Sequence, residues 1–299
     1  MSVTTAAEPH EFAELLRAVP DTGAPPVIER RWMTVVVGGQ RHVSGVCWDP
    51  AEPPGVVLLH GAATSARAFD DVLRAYRRPA VAVDLPGHGR STWIKSGDYR
   101  PRRLAKTLEE AIRSYAPGGP VVAGRGLGAL AAVAVAARFP QVVGRLVLID
   151  TLPGAAGETA DQQAPWPWPS PRFTSRDEAR AWLAGAAPWL AETVVAREAE
   201  LETVQAADGS WGWRHHLGSL ADSGPAGFDD DTLWEQLAAL PAAPLLVRAE
   251  QGVLSGEVVD RFNEQVPRGE VVTVADSGHR IEIDQPAALS DVLRTLTEQ

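Results

Sequence analysis

Pro120-Val-Val-Ala-Gly124-Arg125-Gly126-Leu127-Gly128-Ala-Leu130 is the segment from which the fold can be predicted. It begins as an apolar run, has glycine at three alternate positions and continues as an alanine-rich run to Ala137. This pattern predicts a buried strand, a tight turn and a helix. Glycine on either side of the turn would let the strand and helix backbones approach closely. The segment therefore indicates an α/β domain with a functional turn at its centre.

Glycine-rich turns between a strand and a helix also hold phosphate groups, so the motif alone leaves two functions open. A dinucleotide-binding turn follows the first strand of its domain and is followed about 20 residues later by an acidic residue. Here four strand candidates precede the turn, at 32–37, 41–48, 56–59 and 79–84. The order of elements therefore disfavours a dinucleotide site.

Composition limits the classes of partner and compartment. The chain has 299 residues, 45% of them hydrophobic, and a net charge of −10, which argues against a nucleic-acid or anionic-membrane surface. Cys47 is the only cysteine, so no internal disulfide can form, and we expect a reducing, cytoplasmic location. The N-terminus lacks a signal-peptide pattern, and the longest apolar run, 127–137, is too short to span a bilayer. Oligomeric state is left open.

Strand and helix patterns alternate up to residue 150 and again after residue 243, which is typical of a parallel sheet covered by helices. Between these regions the alternation stops, and seven of the ten tryptophans lie between Trp166 and Trp234. We therefore predict an α/β fold with a mostly parallel, twisted, eight-stranded sheet and an inserted, mainly helical cap. The expected divisions are an N-terminal arm at 1–30, a core at 31–150 and 241–299, and the cap at 151–240.

Five motifs occur in an order and spacing that resemble those of the α/β-hydrolase superfamily, in particular its actinobacterial esterase-like members. They are His60-Gly61, Asp84-Leu-Pro-Gly-His-Gly-Arg-Ser91, the turn 124–128, Leu148-Ile-Asp150-Thr-Leu-Pro153 and Ser277-Gly-His279. The resemblance covers about 32–150 and 243–298. It implies that the central turn is a nucleophile elbow, in which a strained residue presents its side chain at the edge of the sheet.

Carried over residue by residue, the resemblance implies an incomplete catalytic set. The nucleophile position is Gly126, which has no side chain, and the usual acid position aligns with Gly252. The histidine is present as His279. The oxyanion hole of the family consists of backbone N–H groups, here those of Ala62 and Leu127, and these do not depend on a serine side chain.

Two residues are open as the acid partner of His279, Asp150 and Glu250. Asp150 ends the strand next to the elbow strand, where some relatives carry the acid, and it could equally cap the loop that leads to Pro153. If the alignment at Gly252 is shifted by one or two residues, Glu250 would be the acid instead. Without a carboxylate partner the histidine would lose its fixed tautomer.

Candidate substrate-binding residues follow from the elbow and the cap. The charge of Arg125 could hold a carboxylate or phosphate, or bridge to a helix end. Several tryptophans could line an apolar pocket under the cap or form a small core of their own, namely Trp93, Trp166, Trp168, Trp211 and Trp213. His215-His216 with 229–231 has no trusted metal-ligand spacing, so we expect no metal and no cofactor.

Three functional hypotheses follow from the missing serine. In the first, His279 is an acid or base and the oxyanion hole holds an enolate or alkoxide of a small apolar carbonyl compound during elimination, C–C cleavage, cyclisation or cofactor-free oxygenation. In the second, the protein is a non-catalytic pseudo-hydrolase that binds a small hydrophobic ligand or a partner. In the third, it is a serine esterase or thioesterase whose serine has been replaced by Gly126.

Overall fold

The computed structural model describes residues 11–17, 25–36, 41–154, 171–219 and 232–298. The strands of the described residues are β1 Ile28–Val35, β2 Arg41–Trp48, β3 Val56–Leu59, β4 Ala80–Val83, β5 Val121–Arg125, β6 Arg145–Ile149, β7 Thr203–Gln205, β8 Trp211–Trp213, β9 Leu245–Ala249 and β10 Glu270–Val274. Eight of them form one sheet in the order β1-β2-β4-β3-β5-β6-β9-β10, and β7 and β8 form a separate hairpin sheet. Strand β2 pairs antiparallel with β1 and β4, and the other pairs of the large sheet are parallel. The predicted mostly parallel, eight-stranded sheet is confirmed.

Helices cover both faces of this sheet. They are α1 Ala13–Arg17, α2 Asp70–Tyr76, α3 Pro101–Tyr115, α4 Leu127–Arg138, α5 Arg176–Ala186, α6 Glu192–Glu202, α7 Thr232–Ala238, α8 Gly256–Gln265, α9 Ile281–Asp284 and α10 Pro286–Thr297. A 3₁₀ turn at Ala66–Phe69 precedes α2.

Side chains of the central strands alternate between two hydrophobic cores. In β3, Val57 and Leu59 face the core that contains residues of α3 and α4, whereas Val56 and Leu58 face the core that contains residues of α2 and α10. This alternation follows from the period of two along a strand, and a strand buried on both faces has no polar position. It explains why the central strands are continuous apolar runs in the sequence.

The N-terminal part differs from the predicted boundaries. Strand β1 spans Ile28–Val35 rather than 32–37, because its pairing with β2 begins at Ile28 opposite Trp48. Phe12 and Leu15 are buried in the core beside α2, so part of the predicted arm packs against the domain. The predicted hairpin link 38–40 lies outside the described residues.

The segment 151–240, here called the insertion, separates β6 from β9. Its described part contains α5, α6 and the β7–β8 hairpin, which share a small hydrophobic cluster around Phe173 and Trp213. Helix α7, although inside the predicted cap boundaries, contributes Leu233 and Trp234 to the main core beside α4. Within the described ranges, no helix has the length and apolarity that crossing a membrane requires.

We predict that Gly128→Ala destabilises the fold by about 1–3 kcal/mol, the usual cost of overpacking a core. A Cβ atom at this position would lie 2.3 Å from the backbone oxygen of Leu59. The control is Gly185→Ala in α5, where a Cβ would meet nothing within 4 Å and alanine should stabilise the helix by about 0.5–1 kcal/mol. Urea unfolding of the two variants measures both effects, and equal stabilities would contradict the close strand–helix contact.

Candidate active site

Gly126 occupies a strained turn between β5 and α4. Its φ of +52° lies in the left-handed region that side-chain-bearing residues seldom adopt. A Cβ atom built on Gly126 would meet only the Cα of Gly61, at 3.5 Å, which is an ordinary van der Waals contact. By contrast, a Cβ on the flanking Gly124 would lie 2.6 Å from the backbone nitrogen of Ala129. The turn therefore has the geometry of an elbow and room for a side chain at its centre.

Asp150 is fully buried at the end of β6 and holds His279. Its Oδ2 atom lies 2.9 Å from Nδ1 of His279, and the carboxylate also accepts the backbone N–H groups of Ala249 at 3.0 Å and Val253 at 3.1 Å. Because a carboxylate accepts hydrogen bonds, the proton of the imidazole lies on Nδ1 and the lone pair on Nε2. The φ of Asp150 is +41°, so the backbone is strained at this residue.

The structure accounts for the glycine at the expected acid position. A Cβ atom on Gly252 would lie 2.3 Å from Oδ2 of Asp150, so the Asp150 carboxylate fills the space that a side chain there would enter. Glu250 is exposed, and its carboxylate accepts the N–H of Asp276 at 2.9 Å. Of these two candidate acids, Asp150 is the one that contacts His279.

The loop after β3 fixes the orientation of the Ala62 N–H. The carbonyl oxygen of Gly61 accepts hydrogen bonds from Nδ1 of His60 at 2.7 Å and from Oγ1 of Thr64 at 3.0 Å. Nε2 of His60 accepts the Leu85 N–H at 2.9 Å, and burial lowers the pKa of His60 to about 4, so this histidine stays neutral. Because the peptide unit is planar and trans, the Ala62 N–H points away from the held carbonyl.

Leu127 supplies the first backbone amide of α4, at the positive end of the helix dipole. Within the described part of the chain, neither the Leu127 N–H nor the Ala62 N–H has a hydrogen-bond acceptor. Unpaired amides at these two positions are what an oxyanion hole requires.

Thr151 is a site residue that the sequence analysis did not identify. Its hydroxyl accepts the N–H of Gly126 at 2.8 Å and donates to the carbonyl of Ile149 at 2.8 Å. Two consecutive residues after β6 therefore hold the histidine and the elbow. The only available signal was the position of Thr151 next to Asp150 in the Leu148–Pro153 motif.

Arg125 does not face open space. It is buried and forms an ion pair with Glu282 at 2.9 Å, and its Nη1 atom would lie 2.8 Å from a Cβ on Gly61. Arg280 lies 3.6 Å from the same Glu282 oxygen. The charge of Arg125 is therefore matched within the protein. This ion pair favours the alternative that Arg125 bridges to a helix, and the role in binding a substrate anion stays a prediction.

The described tryptophans also occupy other places than a substrate pocket. Trp213 is buried against Phe173 and Trp182, and the partly buried Trp211 packs on the same cluster, so both belong to the core of the insertion. Trp93 is 44% exposed and stacks on His216 with the ring centroids 4.6 Å apart. Trp166 and Trp168 lie outside the described residues. These contacts favour the satellite-core interpretation for Trp211 and Trp213, and their role in lining a pocket stays a prediction.

We predict that the acid can be moved between the two positions. Gly252→Asp alone should destabilise the protein, because the new side chain collides with the buried Asp150 carboxylate. Asp150→Gly relieves the strained backbone but leaves the Nδ1 proton of His279 without its partner. The double variant should recover stability, with a coupling free energy of at least about 1 kcal/mol between the two sites. Urea unfolding of the four proteins measures this coupling, and strictly additive effects would contradict the shared space.

Comparison with known proteins identifies the family. The model of the alpha/beta hydrolase family matches residues 56–292. The chain is 33% identical over 263 residues to the esterase Rv0045c of Mycobacterium tuberculosis, a match covering 84% of this chain and 85% of that protein. It is 26% identical over 260 residues to the lipase LipV of the same organism, covering 83% and 95% of the two chains. The crystal structure of Rv0045c superimposes with a TM-score of 0.80 at 30% identity, covering 99% of this chain and 100% of that chain. The chain therefore belongs to the α/β hydrolase family of enzymes.

Proposed function

We propose that this enzyme activates a small apolar carbonyl compound without a nucleophilic side chain. In this proposal His279 transfers protons, Asp150 orients it, and the N–H groups of Ala62 and Leu127 hold the oxyanion. Elimination, C–C cleavage, cyclisation and cofactor-free oxygenation are the reaction classes that use these groups. None of them needs a covalent enzyme intermediate at Gly126.

The His279–Asp150 pair beside an elbow without a side chain is the observation that carries the proposal. The buried carboxylate has three hydrogen-bond donors, His279 among them, and a strained backbone conformation. Such strain costs on the order of 1–3 kcal/mol and is typical of functional sites. Acid–base chemistry gives this pair a use that does not require a serine.

The chemistry follows from the positions of proton and lone pair. With Nδ1 bonded to Asp150, the Nε2 lone pair of His279 is the base that can remove a proton next to the substrate carbonyl. The charge that develops on the carbonyl oxygen would be stabilised by the two backbone N–H groups. The protonated His279 can then give the proton to a leaving group on the neighbouring carbon, which completes an elimination. In a C–C cleavage, Nε2 would instead remove the proton of a substrate hydroxyl, the C–C bond would break to give an enolate held by the two N–H groups, and His279 would return the proton to the enolate carbon.

Ordinary ester hydrolysis through an acyl-enzyme is disfavoured by the absent nucleophile. In a serine hydrolase its removal costs on the order of 10⁶ in kcat, about 8 kcal/mol of barrier. One observation nevertheless favours an esterase or thioesterase that has lost its serine as a second candidate. The space at Gly126 would accept a side chain, with only the Cα of Gly61 in contact.

The test is to restore the nucleophile. We predict that Gly126→Ser hydrolyses short p-nitrophenyl esters at least about 10²-fold faster than the unaltered chain, because the other groups of the machinery would already be in place. It should also be labelled at residue 126 by a phosphonate, detected by intact mass. Gly126→Ala controls for the backbone effect, and Gly126→Ser with His279→Ala should lose both properties.

A folded Gly126→Ser variant that neither hydrolyses esters nor reacts with the phosphonate would contradict the proposal. The oxyanion hole or the His279–Asp150 pair would then be out of working geometry. The non-catalytic pseudo-hydrolase would become the preferred hypothesis.

A further inference from the structure

One carboxyl group of the insertion, that of Glu202, is buried against the loop after β3. Glu202, the last residue of α6, is only 5% exposed, and its Oε1 atom accepts a hydrogen bond from Oγ of Ser65 at 2.6 Å. The Ser65 hydroxyl in turn accepts the N–H of Arg67 at 3.3 Å and so caps the 3₁₀ turn. Glu202 thus links the insertion to the end of the loop that carries the Ala62 N–H.

Two further contacts connect the Glu202–Ser65 hydrogen bond to the loop that carries the Ala62 N–H, here called the oxyanion loop. Thr64, the neighbour of Ser65, donates to the Gly61 carbonyl and so helps to orient the Ala62 peptide unit. Ala63, which has a φ of +62°, packs in the hydrophobic cluster of the insertion together with Trp213. The strained loop is therefore held from the insertion by one polar and one apolar contact.

The surroundings of Glu202 favour its neutral form. Burial raises the pKa of Glu202 to about 8 against the opposing effect of the Ser65 hydrogen bond, and the nearby Asp84 and Glu198 raise it further while Arg214 lowers it. Asp84 is paired with Arg30, at 2.9 Å, and Glu198 with Arg280. A cavity of about 270 Å³ lies beside Glu202, and its charged lining residues besides Glu202 are Arg67, Asp71, Arg197, Glu198 and Arg280. This cavity offers space and hydration to an ionised carboxylate that leaves Ser65.

We propose that Glu202 is a positioning residue for the Ala62 N–H and that it acts through Ser65 as a neutral carboxylic acid. When Glu202 ionises, the cost of burying its charge exceeds the gain from the hydrogen bond that Ser65 donates, so the carboxylate moves away from Ser65 into the adjacent cavity. This movement weakens the contact between the insertion and the loop that carries the Ala62 N–H and reduces catalysis at alkaline pH. The catalytic part of this inference depends on the role proposed above for Ala62. The structural part, the control of the loop by Glu202, does not.

The structural part is tested without any activity assay. Hydrogen exchange of the peptide that spans residues 60–66 is measured across about pH 6 to 9.5, with correction for the intrinsic rates. We expect protection of this peptide to fall around pH 8 in the unaltered chain and to stay constant in Glu202→Gln, which keeps a neutral hydrogen-bonding group. Glu200→Gln, the same change at an exposed position of α6, should behave like the unaltered chain.

The ionisation of Glu202 should also make the free energy of unfolding depend on pH. Because the pKa of Glu202 is raised from 4.5 to about 8, the folded state binds more protons than the unfolded state between these values. Stability should therefore fall with rising pH in this range and level off above it. Relative to Glu202→Gln, the unfolding equilibrium constant should rise by up to about tenfold per pH unit.

The catalytic part is measured on p-nitrophenyl ester hydrolysis in the Gly126→Ser protein. We expect kcat to decline above about pH 8 and the additional Glu202→Gln change to abolish that decline, while Ser65→Ala lowers kcat at all pH values by about tenfold or more. For comparison, removal of one oxyanion-hole donor costs about 10²–10³ in kcat.

Identical pH profiles of exchange in the unaltered chain and Glu202→Gln would overturn the proposal, whatever the activity. Suppose that protection of the peptide 60–66 depends on pH but the Gly126→Ser variant is inert. The control of the loop by Glu202 would then be supported, and the proposed function would fail. If Glu202→Gln does not fold, hydrogen exchange of the unaltered chain alone tests the proposal. Loss of protection of the peptide 60–66 at alkaline pH would support it, and constant protection would overturn it.

Discussion

The site is built around the buried carboxylate of Asp150. It accepts hydrogen bonds from His279, Ala249 and Val253, and it occupies the space above Gly252. A buried carboxylate is stable only when its partners replace the water that it has lost, so the loop after β9 and the turn that carries His279 must both close upon it. Its neighbour Thr151 holds the N–H of Gly126. One strand end thereby fixes the relative positions of elbow and histidine.

The absence of a side chain at Gly126 leaves this arrangement intact for a physical reason. The proposed oxyanion-hole donors are backbone amides, held by helix α4 and by the bonds of His60 and Thr64 to the Gly61 carbonyl. None of these contacts involves a side chain at position 126. The proposed oxyanion-hole donors are therefore independent of any side chain at position 126. The proposed acid–base chemistry uses this independence, because it needs the two N–H groups and His279 but no nucleophile.

The sequence was sufficient for the architecture, because buried parallel strands are continuous apolar runs and the glycine turn marks the central strand. It also suggested Asp150 and His279, but their pairing joins residues 129 positions apart, which no local pattern encodes. Two further features of the site depend on the relative positions of the ends of neighbouring strands, which the sequence does not encode locally. They are the exclusion of a side chain at Gly252 and the hydrogen bond from the Gly126 N–H to Thr151. The sequence left two roles open for Arg125 and for the tryptophans, because the pairing of Arg125 with Glu282 and the hydrophobic cluster of the insertion are tertiary contacts.

The tautomer of His279 shows whether the hydrogen bond to Asp150 leaves a base at Nε2, on which the proposed chemistry depends. Nitrogen-15 NMR of histidine-labelled protein, with His279→Gln to assign the signal among the seven histidines, measures it at neutral pH. We predict that the neutral imidazole of His279 carries its proton on Nδ1 and not on Nε2, and that Asp150→Asn removes this preference. A neutral His279 that carries its proton on Nε2 in the unaltered protein would show that Asp150 does not leave a base at Nε2.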